Sequence, residues 1–395
     1  MIPMVDLKSQ YHALKGEIDK AVLDAIESTQ FILGPNVTAF EQETAAYFGT
    51  PYAVSCASGT DALHLAILAA GIGPGDEVIT SPITDIGTVI GVIYQQGVPV
   101  FADLGASTYN LDPADVERRI TPRTKAIIAV HLCGNPCDLH ALKAIADQHH
   151  LILIEDCCQA WGAKYRGQPI GSIGHIACWS LQDSKHITTG DGGVVASNDE
   201  RFGPLLQRCG DKGADRGKGG GFQMFSTNYR MSEPQAAVFA AQLERLEGFA
   251  SKRAQLGNRL TEKLTGIPGI RPHLVHPEDR CVYWFYFMRF NTAAFRCNRA
   301  EFVKALAAEG VSCSAGYIAV PLHREPVFQK HGFFAGRWPV RELGLTQMDF
   351  TKHQTPEVEA ILQNGIRFTI HEGMTDDYIA EAAEAVRKVA RHFAV

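Results

Sequence analysis

The sequence predicts an α/β fold, with a large, mostly parallel sheet domain covered by helices and a smaller α+β C-terminal domain. Three observations carry this expectation. Short apolar runs alternate with helical segments up to about residue 197. A long helical pattern starts at Ser232. Beyond Gly266 the pattern changes to strands mixed with helices. The expected division is 1–264 for the large domain with its N-terminal and connecting helices, and 265–395 for the small one.

In chain order, Tyr11, Leu14, Ile18, Val22 and Ile26 stand at helical spacing, and Phe31-Ile-Leu-Gly-Pro35 ends that helix. Residues 37–48 read as a second, short helix. Strands are then expected at 52–55, 77–80, 99–102, 125–130 and 151–154, with helices at 62–70 and 139–149 between them. Two further buried strands, 176–180 and 192–197, flank a loop with Thr188, Thr189 and Gly190. In sheets of this kind ligands bind beyond the carboxyl ends of the strands.

Residues 211–221 form a charged, glycine-rich loop for which functional and merely flexible roles stand equally open. Ser232-Glu-Pro-Gln235 opens the long helix with an N-cap serine and an early proline, and the helix is expected to run to about Leu264. Later come a strand at 282–290 and helices at 299–309 and 376–392. There is no internal repeat.

Composition narrows the function classes. With 46% hydrophobic and 20% charged residues and a net charge of −6, the chain reads as an ordinary soluble protein. No basic excess points to nucleic acid or an anionic membrane. The N-terminus shows no signal-peptide core, and the longest apolar stretch, 62–72, is far below a membrane span, so a cytoplasmic location is expected. Ten cysteines sit mostly inside apolar strands, as buried reduced thiols do. His131, Cys133, Cys137, Cys157 and Cys158 contain no CxxC pair, and no metal site is expected.

Three features carry chemistry. Lys185 lies between an apolar strand and a glycine-rich turn, where partial loss of hydration lowers an amine's pKa and makes it nucleophilic. Ser58-Gly59-Thr60 precedes the helix at Ala62, and free backbone N–H groups at a helix start suit a phosphate. Asp156 ends a buried strand, where a carboxylate can partner a protonated pyridine nitrogen. Each alone has a plain structural alternative: a surface lysine, an N-cap, an Asp capping a turn. Together and in this order they are the parts that pyridoxal phosphate (PLP) chemistry needs. Asn228 and Arg230 lie just before the long helix, where an amide and a guanidinium stand at its start.

Nearly the whole chain also resembles the sugar aminotransferases of the DegT/DnrJ/EryC1/StrS family, which have the fold-type I, aspartate aminotransferase-like architecture. The matching segments are Val5–Tyr11, Phe31–Pro35, Ser58–His64, Gly73–Val78, Glu155-Asp156 with Gln159-Ala160, Lys185 with Thr189–Gly193, and Asn228–Met231. The resemblance implies that Lys185 forms the Schiff base and shuttles protons, Asp156 partners the ring nitrogen and Gln159 sits near the ring hydroxyl. It implies that Ser58, Gly59, Thr60 and Ser180 hold the phosphate. It also implies a homodimer with shared active sites, Asn228 reaching the neighbouring subunit's phosphate.

Two positions depart from the family pattern. Thr84 is followed by Asp85 where the family usually has an aromatic that stacks on the cofactor, which leaves the stacking partner open and points Asp85 toward a polar substrate. Asp191 replaces a glutamate. Ser180-Leu-Gln182, Phe287–Phe290, Pro321–His323 and Phe368–His371 resemble the branch acting on cyclic ketones carried without a nucleotide, such as the glutamine-dependent scyllo-inosose aminotransferases, with His323 and His371 as candidate substrate contacts. The expected function is transfer of an amino group from L-glutamate or L-glutamine to a keto sugar or keto cyclitol. A PLP-dependent sugar dehydratase and a non-catalytic regulatory homologue are the alternatives. Lys185 and the lack of a clustered cysteine signature argue against the first, and the intact set of Lys185, Asp156 and phosphate loop against the second.

Overall fold

The computed structural model describes residues 5–215 and 220–395. Its strands in chain order are β1 (Tyr52–Cys56), β2 (Glu77–Thr80), β3 (Val98–Phe101), β4 (Thr124–Val130), β5 (Ile152–Asp156), the pair β6 (Lys164–Tyr165) and β7 (Gln168–Pro169), β8 (Ile176–Ser180) and β9 (Gly193–Ser197). Seven of these form one sheet in the order β1-β9-β8-β5-β4-β2-β3. Only β9 runs against its neighbours. The parallel strands β2 and β3 are buried along their length and β5 from its second residue on, which explains their continuous apolar runs. The sheet is therefore mixed, and mostly parallel as expected.

Helices α1 (Leu7–Glu27), α2 (Pro35–Phe48), α3 (Gly59–Ala69), α4 (Gly87–Tyr94), α5 (Pro113–Arg118), α6 (Leu139–Gln148) and α7 (Gly203–Gly210) belong to the same part of the chain. The Gly34-Pro35 start of α2 is capped from a distance. The Glu233 carboxylate accepts the N–H groups of Gly34, Asn36 and Val37 at 2.7, 2.8 and 3.2 Å, satisfying donors that a helix start leaves open. Ser232 and Gln235 form a capping box at the next helix.

That helix is interrupted, contrary to the single span expected from Ser232 to Leu264. It divides into α8 (Glu233–Leu243) and α9 (Leu246–Leu264). At the break the Arg245 N–H reaches the Gln242 carbonyl three residues back, while the Gln242 amide oxygen accepts the Thr188 N–H at 2.9 Å. The turn lets Leu246 and Ala250 enter the core, both fully buried. Apolar periodicity continues through the break, so the sequence pattern conceals it.

Part of the 211–221 loop is a short ribbon of β10 (Ala214–Asp215) and β11 (Gly220–Phe222); residues 216–219 lie outside the described residues. A second sheet of β12 (Ile270–Arg271), β13 (Tyr286–Phe290), β14 (Cys313–Ser314) and β15 (Gly365–Phe368) has the order β12-β13-β15-β14. Its core draws on Leu256, Leu260 and Leu264 of α9 and on the helix Asp376–Phe393. The strand expected at 282–290 pairs within this sheet only from Tyr286 onward. Val282 and Trp284 instead donate their N–H groups to Gly134 and Cys133 at 3.0 and 2.8 Å. This crossing carries Trp284 to the edge of the large sheet. All ten cysteines are free. Among the described residues no helix is long and apolar enough to cross a membrane.

Candidate active site

Successive side chains of a strand point to opposite faces, and the end of β5 uses both. The Glu155 carboxylate is fully buried. It accepts N–H groups from Gly171, Ile173 and Gly174 at 2.6, 3.1 and 2.5 Å, and His131 Nε2 lies at 3.1 Å. Burial pushes its pKa up, but the His131 contact and the backbone donors outweigh that and hold it low. Glu155 thus pins the turn below the sheet. Asp156, on the other face, is left for the cavity.

That cavity, about 210 Å³, is lined by Asp156 together with Ser58, Gly59, Thr60, Asp85, Gln159, Ser180 and Lys185. Eight residues singled out from the sequence therefore meet at the carboxyl edge of the sheet. Asp156 Oδ2 accepts the Thr88 hydroxyl at 2.8 Å and Oδ1 accepts the Cys158 N–H at 3.1 Å. Thr84 and Thr88 hydroxyls lie 2.7 Å apart. Since Thr88 commits its one proton to the carboxylate, Thr84 donates to Thr88. Gln159 accepts the Cys133 N–H through Oε1 at 3.1 Å and donates from Nε2 to the Tyr317 hydroxyl at 3.2 Å, so its side chain is held at both ends.

The start of α3 sits tightly against the β8–β9 hairpin. Ser58 caps the helix by accepting the Asp61 N–H at 3.0 Å. The N–H groups of Gly59 and Thr60 belong to the first turn, which has no intrahelical partners. A Cβ at Gly59 would lie 2.5 Å from Ser180 Cβ, and one at Gly193 would lie 2.3 Å from the Ser58 carbonyl oxygen. Only glycine permits this approach. Ser180 is fixed in turn by the Trp161 indole N–H, which donates to its carbonyl at 2.7 Å.

Lys185 is held on the loop between those strands by its N–H to the Gln182 carbonyl at 2.9 Å. Its side chain is 9% exposed and its Nζ lies over the Trp284 ring. Burial lowers its pKa from the ordinary lysine value, against the opposing effects of Cys158, Asp156 and Asp85. The neighbouring His186 is fully buried, and burial pushes its pKa far down. Facing the Val282 carbonyl at 3.2 Å, its Nε2 carries the proton as donor.

Asp85 is exposed at the start of α4 and accepts the Gly87 N–H at 2.8 Å. Three other candidates lie elsewhere. Asn228 is exposed and pairs with Asp211 beyond the end of α7. His323 is fully buried among Phe101 and His353, with ring centres 5.9 and 5.2 Å away, and burial pushes its pKa down to about 3. His371 is 5% exposed and accepts the Gly373 N–H. Neither histidine lines the cavity.

Sequence reasoning did not single out Thr84, Thr88, Cys158, Trp284 or Tyr317 as site residues. Thr84 and Thr88 stand four apart before and within an apolar helix, a legible sign of a shared polar spot. Trp284 and Tyr317 arrive from segments that flank strands of the small sheet, far along the chain, and gave no local sign.

Of the cysteines and histidine weighed for a metal, His131 and Cys157 meet, with Glu155. Protein groups already engage these atoms: His131 Nδ1 accepts the Cys137 N–H at 3.0 Å and Nε2 faces Glu155. Cys133, Cys137 and Cys158 stand outside the group.

The residues present suit PLP. An anion fits the open N–H groups of α3, a protonated pyridine fits the buried Asp156 carboxylate, and an aldehyde fits an amine whose pKa is already depressed.

Residues 12–387 match the family described as DegT/DnrJ/EryC1/StrS aminotransferases. A pleiotropic regulatory protein of Geobacillus stearothermophilus is 32% identical over 398 residues, covering 100% of both chains. GDP-perosamine synthase of Caulobacter vibrioides is 36% identical over 327 residues, 80% of this chain and 85% of that one. Among solved structures, S. venezuelae DesV superposes with a TM-score of 0.86 at 32% identity, covering 98% of each chain.

Proposed function

The chain belongs to the DegT/DnrJ/EryC1/StrS aminotransferase family, and from that membership we propose that it is a PLP-dependent aminotransferase moving an amino group from L-glutamate or L-glutamine to the keto group of a sugar or cyclitol. The observation that carries the proposal is the single cavity shared by the Lys185 amine, the Asp156 carboxylate and residues 58–60 at the start of α3.

Bound PLP supplies an aldehyde for the incoming amine and a ring that takes up electrons. The chain's own residues do the rest. Ser58, Gly59, Thr60 and Ser180 would hold the phosphate, and Gln159 would serve the ring hydroxyl. Asp156 would keep a proton on the ring nitrogen, its charge steadied by Thr88 and the Cys158 N–H. Lys185 Nζ, with its depressed pKa, would be the base that takes a proton from the substrate carbon bearing the amino group and returns it two atoms away, across the nitrogen. Trp284 covers the amine on one side and limits water there. Asp85 faces the polar acceptor in place of an aromatic.

The active unit is a cytoplasmic homodimer in which Asn228 completes the partner's phosphate site. Its exposure supports this, as do the exposed apolar residues Phe31, Ile32, Leu33 and Phe225. Each subunit divides at 264/265. The Ser180-Leu-Gln182 segment supports a free cyclic ketone as acceptor, whereas the Caulobacter relative's name supports a nucleotide-linked sugar. Another relative carries a regulatory name. In this chain the buried amine and its complete set of partners support the enzyme.

The test is the absorbance of the PLP-loaded protein titrated with L-glutamine and L-glutamate, then with scyllo-inosose and nucleotide-linked 3- and 4-keto sugars. A donor is expected to bleach the lysine-linked band, and the true acceptor to restore it. A band unmoved by every donor overturns the aminotransferase reading.

A further inference from the structure

Behind the Lys185 loop lies a buried brace, and we propose that Arg253, Glu372 and Gln10 are positioning residues that fix the Lys185 amine without touching substrate or cofactor. The inference rests on the reading of Lys185 as the cofactor lysine.

Five segments remote in sequence meet there. The Arg253 side chain, from α9, is wholly buried, and that of Glu372 is 11% exposed. Arg253 Nε donates to Glu372 Oε2 at 2.8 Å. Its Nη1 donates to the carbonyls of Ile370 and Tyr283 at 2.9 and 3.2 Å. Glu372 Oε1 accepts from Gln10 Nε2 of α1 at 2.5 Å, and the same amide donates to the His186 carbonyl at 3.4 Å.

Both ends of the brace reach Lys185. At one end Gln10 holds the carbonyl of the residue that follows the lysine. At the other, Arg253 holds the carbonyl of Tyr283, and the next residue, Trp284, lies under the amine and donates its indole N–H to the residue before the lysine, Ser184. His186 adds a third tie, to the Val282 carbonyl. Residues 184–186 and 282–284 are thus laced together, with the guanidinium behind them.

A buried ion pair is a poor device for stability alone, because the cost of desolvating two charges offsets much of their attraction. What such a pair supplies is fixed geometry: a planar guanidinium with donors set at defined angles. Here one of those donors reaches the Tyr283 carbonyl, one residue from the Trp284 that lies under the amine. A small displacement of a reacting group is costly, about 100-fold for about 1 Å.

The test compares PLP-loaded wild type with Gln10→Met, Glu372→Gln and Arg253→Met, reading kcat, donor KM, melting temperature and the circular dichroism of the cofactor's visible band. Gln10→Met leaves the ion pair intact, so the melting temperature should hold. Its kcat should still fall about 10-fold with donor KM within about twofold, and the dichroic band should change. Arg253→Met should lose about 100-fold, and Glu372→Gln, which keeps an acceptor for Arg253, should fall between. If Arg253→Met does not fold, Gln10→Met still decides. Wild-type kcat and dichroism in Gln10→Met overturn the brace while leaving the enzyme reading standing. A wild-type protein with no donor-sensitive band overturns both.

Discussion

The Lys185 Nζ lies 4.0 Å from the centre of the Trp284 ring, and the Trp284 indole N–H donates to the Ser184 carbonyl at 2.6 Å. One side chain from the small-sheet segment therefore both covers the amine and anchors the backbone beside it. Trp284→Leu removes the ring and strands a carbonyl. The expected cost is about 3 kcal/mol of stability, read by urea unfolding, with a fall in kcat and a weaker lysine-linked absorbance band. Unchanged turnover would separate Trp284 from the function of Lys185.

On the proposed reading, Lys185→Ala removes the nucleophile and the proton carrier together. Turnover should drop by at least about 10⁴-fold, and PLP should dialyse away, since only non-covalent contacts remain. Near-normal transamination by this variant would overturn the assignment of the lysine.

Asp156 and Thr88 form a graded pair. If Asp156 partners the ring nitrogen as proposed, Asp156→Asn loses the charge that holds its proton, and kcat should fall about 10²- to 10³-fold. Thr88→Val removes one neutral donor to that charge, worth about 1–2 kcal/mol, so its effect should be about 10-fold. Equal losses in the two would mean that the hydroxyl, and not the carboxylate charge, carries the effect.

Much of this arrangement was legible in the sequence because each part has a local signature. Ser58 before a helix, Asp156 at the end of an apolar run and Lys185 before a glycine turn are each readable within about ten residues. The fold supplies their meeting, since β1, β5 and β8 end on the same edge of the sheet. What the sequence concealed is set by packing between distant segments. The break between α8 and α9 leaves the apolar period unaltered. The first half of the strand expected at 282–290 leaves its sheet to pair with Cys133 and Gly134, and that is why Trp284 went unnoticed. His323 stood beside a family-like Pro321-Leu322, yet its neighbours Phe101 and His353 bury it away from the cavity, a fact no local pattern encodes.

Gly59→Ala tests the phosphate end of the cavity. The added methyl would meet Ser180 Cβ at 2.5 Å and Ser180 Oγ at 3.0 Å, so the two elements must move apart. Overpacking of this kind costs about 1–3 kcal/mol. The start of α3 should shift off Ser180, and PLP affinity measured by equilibrium dialysis should weaken about 10-fold or more. Affinity within experimental error of wild type would show that the phosphate is held elsewhere.

The depressed pKa of Lys185 makes a prediction whose sign is fixed. Burial disfavours the ammonium, so the folded amine gives up its proton below the ordinary lysine value of 10.5 while the unfolded chain still holds it. Between those two values the unfolded state binds more protons, and stability must rise with pH. The cofactor-free protein should therefore gain stability from its folded Lys185 pKa up toward 10.5, and at lower pH it carries the full penalty of a buried ammonium. Lys185→Met lacks this term, so urea unfolding of the two proteins across that range should give a steeper rise for wild type. Parallel curves would mean that the amine is solvated. Asp85 favours the ammonium, so Asp85→Asn should lower the pKa further and move the pH midpoint of PLP capture downward. A midpoint moved upward would mean that Asp85 acts on the site by some route other than its charge on Lys185.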